Sequence, residues 1–268
     1  MPSLNLEEAI EVTKIQSASG FLPKGLITER PFRSPHHTAS LVAIVGGGPQ
    51  PKPGEISLAH RGVLFLDEVP EFQRSALEAL RQPLENGTIT ISRAKGTLSF
   101  PARFTLVAAM NPCPCGFFGD PEKECRCSAY EVIRYQKKIS GPLLDRIDLQ
   151  VKVSRVRIEE LQKVGERPQE TPIIRKSVER VRQIQKERFE RLPIHVNSEM
   201  SSKHVDDFVP LTPEARDFMT SLKKHHISPR GYYRLLKTAR TIADLEEKSA
   251  VDLPHVAEAF SYRIREEQ

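Results

Sequence analysis

Tryptophan is absent from the 268-residue sequence, and aromatic residues make up only 6% of it. Stacking of bases on aromatic rings is therefore excluded as the main way this chain would hold a nucleic acid. Long hydrophobic runs are missing too, since no stretch approaches the roughly 18 apolar residues of a membrane span. The opening MPSLNLEEAIEV carries acids where a signal peptide would carry its apolar centre. These absences predict a cytoplasmic protein with no membrane partner. Cysteine is scarce, and all four copies fall between Cys113 and Cys127. In a reducing compartment such a cluster reads as a metal site before it reads as disulfides.

What remains is ordinary globular material, 38% hydrophobic and 28% charged, long enough for one or two domains. The net charge of +5 permits a nucleic-acid partner without establishing one. Leu6, Ala9, Ile10 and Thr13 predict an opening amphipathic helix. A loop rich in Pro and Gly runs from Gly20 to Gly54, broken by SLVAIVGG. GVLFLDE then has the pattern of a strand buried on both faces and ending in two carboxylates. Leu77, Leu80 and Leu84 mark a helix. NGTITISRAKGTLSF alternates around Arg93-Ala94-Lys95-Gly96 and predicts a β-hairpin with a basic tip. FTLVAAMNP reads as a second buried strand, ending in Asn111. This order predicts an α/β core with a parallel sheet over residues 1–155, its ligands at the carboxyl ends of the strands. A polar linker over 156–172 follows, and then an all-helical domain over 173–268. In that domain Ile174, Val178 and Val181 open a charged helix running from Arg175 to Arg191, more a solvated face than a DNA-binding stripe. Thr212-Pro213 and Ser228-Pro229 are helix starts, and the last helix follows Asp252 with Val256, Ala259, Phe260 and Ile264 along it.

The chemistry concentrates at strand ends. Asp67 and Glu68 sit where the Mg²⁺ of a nucleotide and an attacking water would be held, the first as metal ligand and the second as the group that orients the nucleophile. Asn111 suits positioning the same water, although alone it reads as a turn initiator before Pro112. Arg146, in GPLLDRIDL, is either a solvated salt-bridge residue or an arginine finger reaching a neighbouring subunit's γ-phosphate. Arg230 lies in the first turn of a helix, where the backbone dipole prefers an acid, so a cation there asks for an anionic partner.

Taken in order, GVLFLDEVPEF, LRQPLENGTITISRA, AAMNPCPCGFFGD, GPLLDRIDL and SPRGYYRLLKTARTIADLE resemble the magnesium-chelatase-like AAA+ ATPases of the bacterial competence-protein type. The resemblance covers nearly the whole chain. It implies that Asp67 and Glu68 are the Walker B pair, Asn111 the first sensor, Arg146 the arginine finger and Arg230 the second sensor. It also implies a pore-facing hairpin, here tipped by Arg93 and Lys95. ATP and Mg²⁺ would be the cofactors, DNA a partner, and the working form a ring of like subunits, a hexamer at full length. His36-His37 matches the family as well and is read as a structural loop pair.

One departure stands out: the chain has no Gly-x-x-x-x-Gly-Lys-[Ser/Thr]. GGGPQPKPG does not replace it, because its prolines lack N–H groups and it is not expected to open a helix. The expectation is a module without its Walker A loop and preceding domain, inactive as an ATPase by itself. Two rivals stay open, a magnesium-chelatase motor for tetrapyrrole metal insertion and a non-hydrolytic interaction module. Finally, Cys113-Pro-Cys115 and Cys125-Arg-Cys127 can satisfy Zn²⁺ tetrahedrally, although one-residue spacing within a pair is less typical than two to four.

Overall fold

The structure is a computed structural model that describes residues 1–21, 24–93, 96–153, 170–222 and 227–263. Two compact units emerge, Ser3–Ile147 and, together with Met1–Pro2, Asp148–Gln268.

The first unit is built on a parallel sheet of three strands, β1 (Phe32–Arg33), β4 (Val63–Leu66) and β7 (Thr105–Ala108), in the order β1-β4-β7. The register pairs Phe32 with Val63 and Leu66 with Ala108, so the strands end at the same edge. Two small antiparallel pairs flank it, β2 (Gly46–Gly47) with β3 (Lys52–Pro53), and the hairpin β5 (Thr88–Arg93) with β6 (Gly96–Pro101). Helices α1 (Leu6–Ser19), α2 (Leu41–Val45), α3 (Glu55–Leu58), α4 (Arg74–Ala79), α5 (Arg81–Asn86), α6 (Ala129–Gln136) and α7 (Gly141–Leu144) complete the unit. Its core gathers Ile44, Ile56, Leu64, Leu66, Phe72, Leu77, Leu80, Ile89 and Leu143.

Several local expectations need correction. In α1 the buried positions are Glu8, Ala9, Val12 and Ile15, while Leu6 and Ile10 are exposed. Glu8 can be buried because it both caps the helix on Asn5 and pairs with Arg30 at 2.8 Å. β4 buries Leu64 and Leu66 fully but Val63 and Phe65 only in part. β7 is mostly exposed, because it pairs with β4 on one side and with no strand on the other among the described residues. The helix marked by Leu77, Leu80 and Leu84 is two short helices that meet at Leu80. Pro83 explains the break, since it has no N–H to give the carbonyl four residues back. The GGGPQPKPG stretch does lead into a helix, the single turn α3, with Gly54 as its N-cap. Its glycines serve a hairpin: Gly46 has φ of 99°, and a Cβ there would meet the Lys52 carbonyl at 2.5 Å. The predicted β5–β6 hairpin is present, with Arg93 paired to Gly96.

The second unit is helical, comprising α8 (Glu170–Arg188), α9 (Ser202–Phe208), α10 (Pro213–Ser221), α11 (Pro229–Leu245) and α12 (Leu253–Ser261). Thr212 and Ser228 cap α10 and α11 by accepting from Ala215 N–H and Gly231 N–H, each with proline next. Most of the expected linker lies outside the described residues, but Glu170–Pro172 already belong to α8. Pro172 is tolerated there because first-turn N–H groups have no partner within a helix. Ile174 is exposed, whereas Val181 is buried. Ile264 lies outside the described residues. Leu235, Leu236, Ala239, Ala243, Val256 and Ala259 form the core with Met219 and Leu222. At its side Asp244, wholly buried, binds Arg188, Arg240 and Asn197. No described helix is long and apolar enough to cross a membrane.

Candidate functional site and cysteine cluster

Parallel strands deliver their chemistry at their carboxyl ends, and here three neighbouring strands do so together. β4 runs directly into Asp67 and Glu68, both exposed. Pairing continues one residue beyond the strands, with Ala109 N–H donating to Leu66 O at 2.9 Å and Val69 N–H to Ala109 O at 3.1 Å. That register carries exposed Asn111 out beside the two acids. Asp67 Oδ1 accepts from Glu68 N–H at 2.9 Å. Glu68 itself is left-handed, φ 51° and ψ 45°, a conformation that costs a non-glycine residue about 1 kcal/mol or more. Strain of this kind collects at functional positions.

From the third strand, β1, the chain passes to His36 and His37, whose rings lie 4.2 Å apart. His37 Nε2 is 3.8 Å from Glu68 Oε2, and the ring meets Phe72 edge-on at 6.4 Å. His37 thus sits at Glu68, while His36 serves the loop, its Nδ1 lying 2.9 Å from Thr38 Oγ1. From sequence the histidines were visible, but their facing Glu68 depends on β1 lying next to β4.

Tyr135 went unnoticed in the sequence. It is buried on α6, and its phenol is pushed above the usual tyrosine range by burial and by the nearby charges of Glu71, Glu68 and Cys113, against a lowering contact with the Asn111 backbone amide. Its neighbour on α6, Gln136, donates to Pro112 O at 3.0 Å, so this end of the helix lies at the loop after Asn111. The available signal was the capping box Ser128-x-x-Glu131, with Val132 and Tyr135 four and seven residues beyond the cap on one helical face.

Arg146 is buried and turned to Glu85 at 2.5 Å, while its Nη1 donates to Pro142 O at 2.6 Å. Its Nε is buried with no hydrogen-bond partner among the described residues. It lines a cleft of about 610 Å³ with Glu78, Arg81, Glu85, Ile89 and Thr90. Arg230 belongs to the helical unit and is exposed in the first turn of α11. Lys95 lies outside the described residues, and only the backbone of Arg93 is described.

The four cysteines come together. Cys113 Sγ is 3.4 Å from Cys115 Sγ and 3.7 Å from Cys125 Sγ, and all four sulfurs lie within 4.8 Å of one another. A tetrahedral zinc with Zn–S bonds of about 2.3 Å separates its sulfurs by about 3.8 Å, so the cluster has the dimensions of a four-thiolate metal site. The Phe117 and Arg126 backbone amides hold the Cys115 thiol down to about 6. The Cys115 backbone amide also lowers Cys127, but burial and the Cys115 and Cys113 sulfurs outweigh it and push Cys127 up to about 12. One proton is thus shed easily while others are held against mutual repulsion, a conflict that a divalent cation removes.

Comparison with known proteins places the whole chain. The family model described as "Magnesium chelatase, subunit ChlI" matches residues 1–161, and its C-terminal counterpart matches residues 168–263. The competence protein ComM of Haemophilus influenzae is 45% identical over 265 residues, which is 98% of this chain and 51% of ComM. The Escherichia coli protein YifB is 42% identical over the same length, again 98% of this chain and 51% of YifB. The magnesium-chelatase subunit ChlI of Chlorella vulgaris is 36% identical over only 61 residues, 23% of this chain and 17% of that subunit. The chain thus spans about half the length of ComM and YifB. With both family models matched in sequence order over an α/β unit followed by a helical one, this chain belongs to the magnesium-chelatase-like AAA+ family, on the side of ComM and YifB.

Proposed function

We propose that this chain supplies the hydrolytic strand ends, hairpin and helical lid of an ATP-driven ring motor that remodels DNA, by branch migration or helicase-like movement. The observation that carries the reading is the convergence of Asp67, Glu68 and Asn111 at one edge of a parallel sheet. Asp67 is an exposed hard oxygen donor of the kind Mg²⁺ takes. Glu68 takes up or orients the proton of the attacking water, and Asn111 and His37 hold its orientation. Bound Mg²⁺ would neutralise charge on the phosphates. The residues present suit the metal and γ-phosphate end of ATP; a phosphate-cradling loop is not among them, so hydrolysis needs one supplied from outside these 268 residues.

In this reading Arg146 acts on the nucleotide of a neighbouring subunit, exchanging Glu85 for a phosphate when the ring forms, and Arg230 contacts the nucleotide from the lid. Zn²⁺ occupies the four thiols. The match to ComM and YifB over nearly the whole chain, against 61 residues of the Chlorella subunit, favours DNA over a tetrapyrrole as the substrate.

The test uses a longer form that carries a phosphate-binding loop. There Glu68→Gln should lower kcat by about 10²-fold or more, as loss of a positioned general base does, while leaving ATP affinity intact. The 268-residue chain alone should show no hydrolysis. Unchanged turnover in the Glu68→Gln protein, or hydrolysis by the short chain that disappears with the same substitution, overturns the reading.

A further inference from the structure

The cysteine cluster and the Asp67–Asn111 edge are joined twice. The first link is direct, since Cys113 follows Asn111 by two residues. The second runs through α6. Cys127 is followed at once by Ser128, whose side chain caps α6 in a reciprocal box with Glu131. At the other end of that helix, Gln136 Nε2 donates to Pro112 O at 3.0 Å. Pro112 has no N–H, so its carbonyl is the one backbone hydrogen-bonding group that the residue itself offers. Lys138, just past the helix, reaches Glu71 at 3.1 Å. That exposed ion pair adds little energy; it shows that one helix end touches both the loop after Glu68 and the loop after Asn111.

We infer that the four thiols hold a zinc ion whose work is positional: by clamping Cys113–Cys115 to Cys125–Cys127 it closes a ring of chain, through α6 and Gln136, that fixes Asn111 relative to Glu68. The inference rests on the zinc reading above and adds a role to it. Without the ion, the segment from Pro112 to Cys127 is a surface excursion with little core. Cys113 is fully buried, while the other three cysteines are only half-buried. Apolar packing cannot register such a segment to within the fraction of an ångström that positioning a water demands. Four metal–sulfur bonds can. Gln136 is the positioning residue in this scheme, acting through the backbone at Pro112.

The experiment needs no hydrolysis, so it stands apart from the ATPase reading. Zinc is measured in the purified chain by elemental analysis, and amide hydrogen exchange is compared across variants. The absence of tryptophan leaves tyrosine emission readable as a probe of Tyr135, with Tyr135→Phe assigning its share. The chain should carry one zinc. The pair Cys125→Ser/Cys127→Ser should lose it, speed exchange over 110–119 and α6, and change Tyr135 emission, with the helical unit unaffected. A second variant, Gln136→Met, covers the case in which the cysteine variant does not fold. It keeps all four thiols, should retain zinc, and should speed exchange at 111–116 by about tenfold, the worth of one hydrogen bond; Gln136→Glu, which cannot donate, should match it, and Gln136→Asn should restore protection in part. Absence of zinc from the folded chain overturns the inference. Retained zinc with unchanged exchange at 111–116 in Gln136→Met overturns it equally, leaving a metal that braces only its own loop.

Discussion

Removing the carboxylate of Asp244 should be the most damaging single change in the helical unit. Its side chain has no exposure and accepts from Arg188 Nη1 at 2.7 Å, Asn197 Nδ2 at 2.8 Å and Arg240 Nε at 3.0 Å, with a further bond from Arg188 Nη2. Arg240 is itself 1% exposed and, among the described residues, would keep the carbonyls of Lys248 and Ser249. Asp244→Ala therefore leaves a buried cation without its counter-charge, which costs about 3–5 kcal/mol. A domain has roughly 5–15 kcal/mol in total, and in a unit of this size each kcal/mol moves the midpoint by about 4–8 °C. The helical melt, followed by circular dichroism, should fall by at least about 12 °C. The cost arises from the stranded charge and not from the pair's own worth. A triple variant with Arg188→Met, Arg240→Met and Asp244→Leu should accordingly recover to within about 1 kcal/mol of the parent. Burial raises the Asp244 carboxyl, but hydrogen bonds from Arg188 and Asn197 outweigh that and hold it below its usual value. Its contribution is thus present above the unfolded value and lost as pH falls through the lower, folded one. An Asp244→Ala protein within about 1 kcal/mol of the parent would refute this reasoning.

Two further outcomes concern the α/β unit and the hairpin. His60 is buried, accepts from Arg103 N–H at 3.0 Å through Nδ1 and meets Glu11 at 3.1 Å through Nε2; burial, aided by Arg61 and Arg103 and opposed by Glu11, depresses its pKa. Unfolded chains then take up the proton first, so stability should decline as pH falls below about 6.5, by at most about 1.4 kcal/mol per pH unit; urea midpoints should show a flatter decline in His60→Gln, and equal slopes would dismiss the idea. Arg93→Ala/Lys95→Ala, in a form able to turn over ATP, should weaken DNA binding and reduce its dependence on salt by about two charges without altering basal hydrolysis; DNA binding like the parent's removes the hairpin as the contact.

The order of elements was legible because it rests on local rules. Alternation around Arg93–Gly96 signals a hairpin, and Thr212-Pro213 and Ser228-Pro229 signal helix starts, since those devices act within a few residues. Asp67 and Glu68 were legible as strand-end residues for the same reason, whereas the strand expected to end in Asn111 ends at Ala108. Burial was less so. The exposure of Leu6, Ile10 and Val107 and the burial of Glu8 depend on which element lies opposite, and periodicity does not report that.

By itself, then, the amino-acid sequence determined the family, the α/β-then-helical order, the strand-end acids and the cysteine pairs, all of which are written in short contiguous stretches. Only the tertiary structure decided that His37 faces Glu68, that Arg146 turns to Glu85, and that Gln136 on α6 reaches the Pro112 carbonyl. Each of those relations links residues from different elements, and their side chains meet only because a shared sheet register and a shared core bring the backbones together.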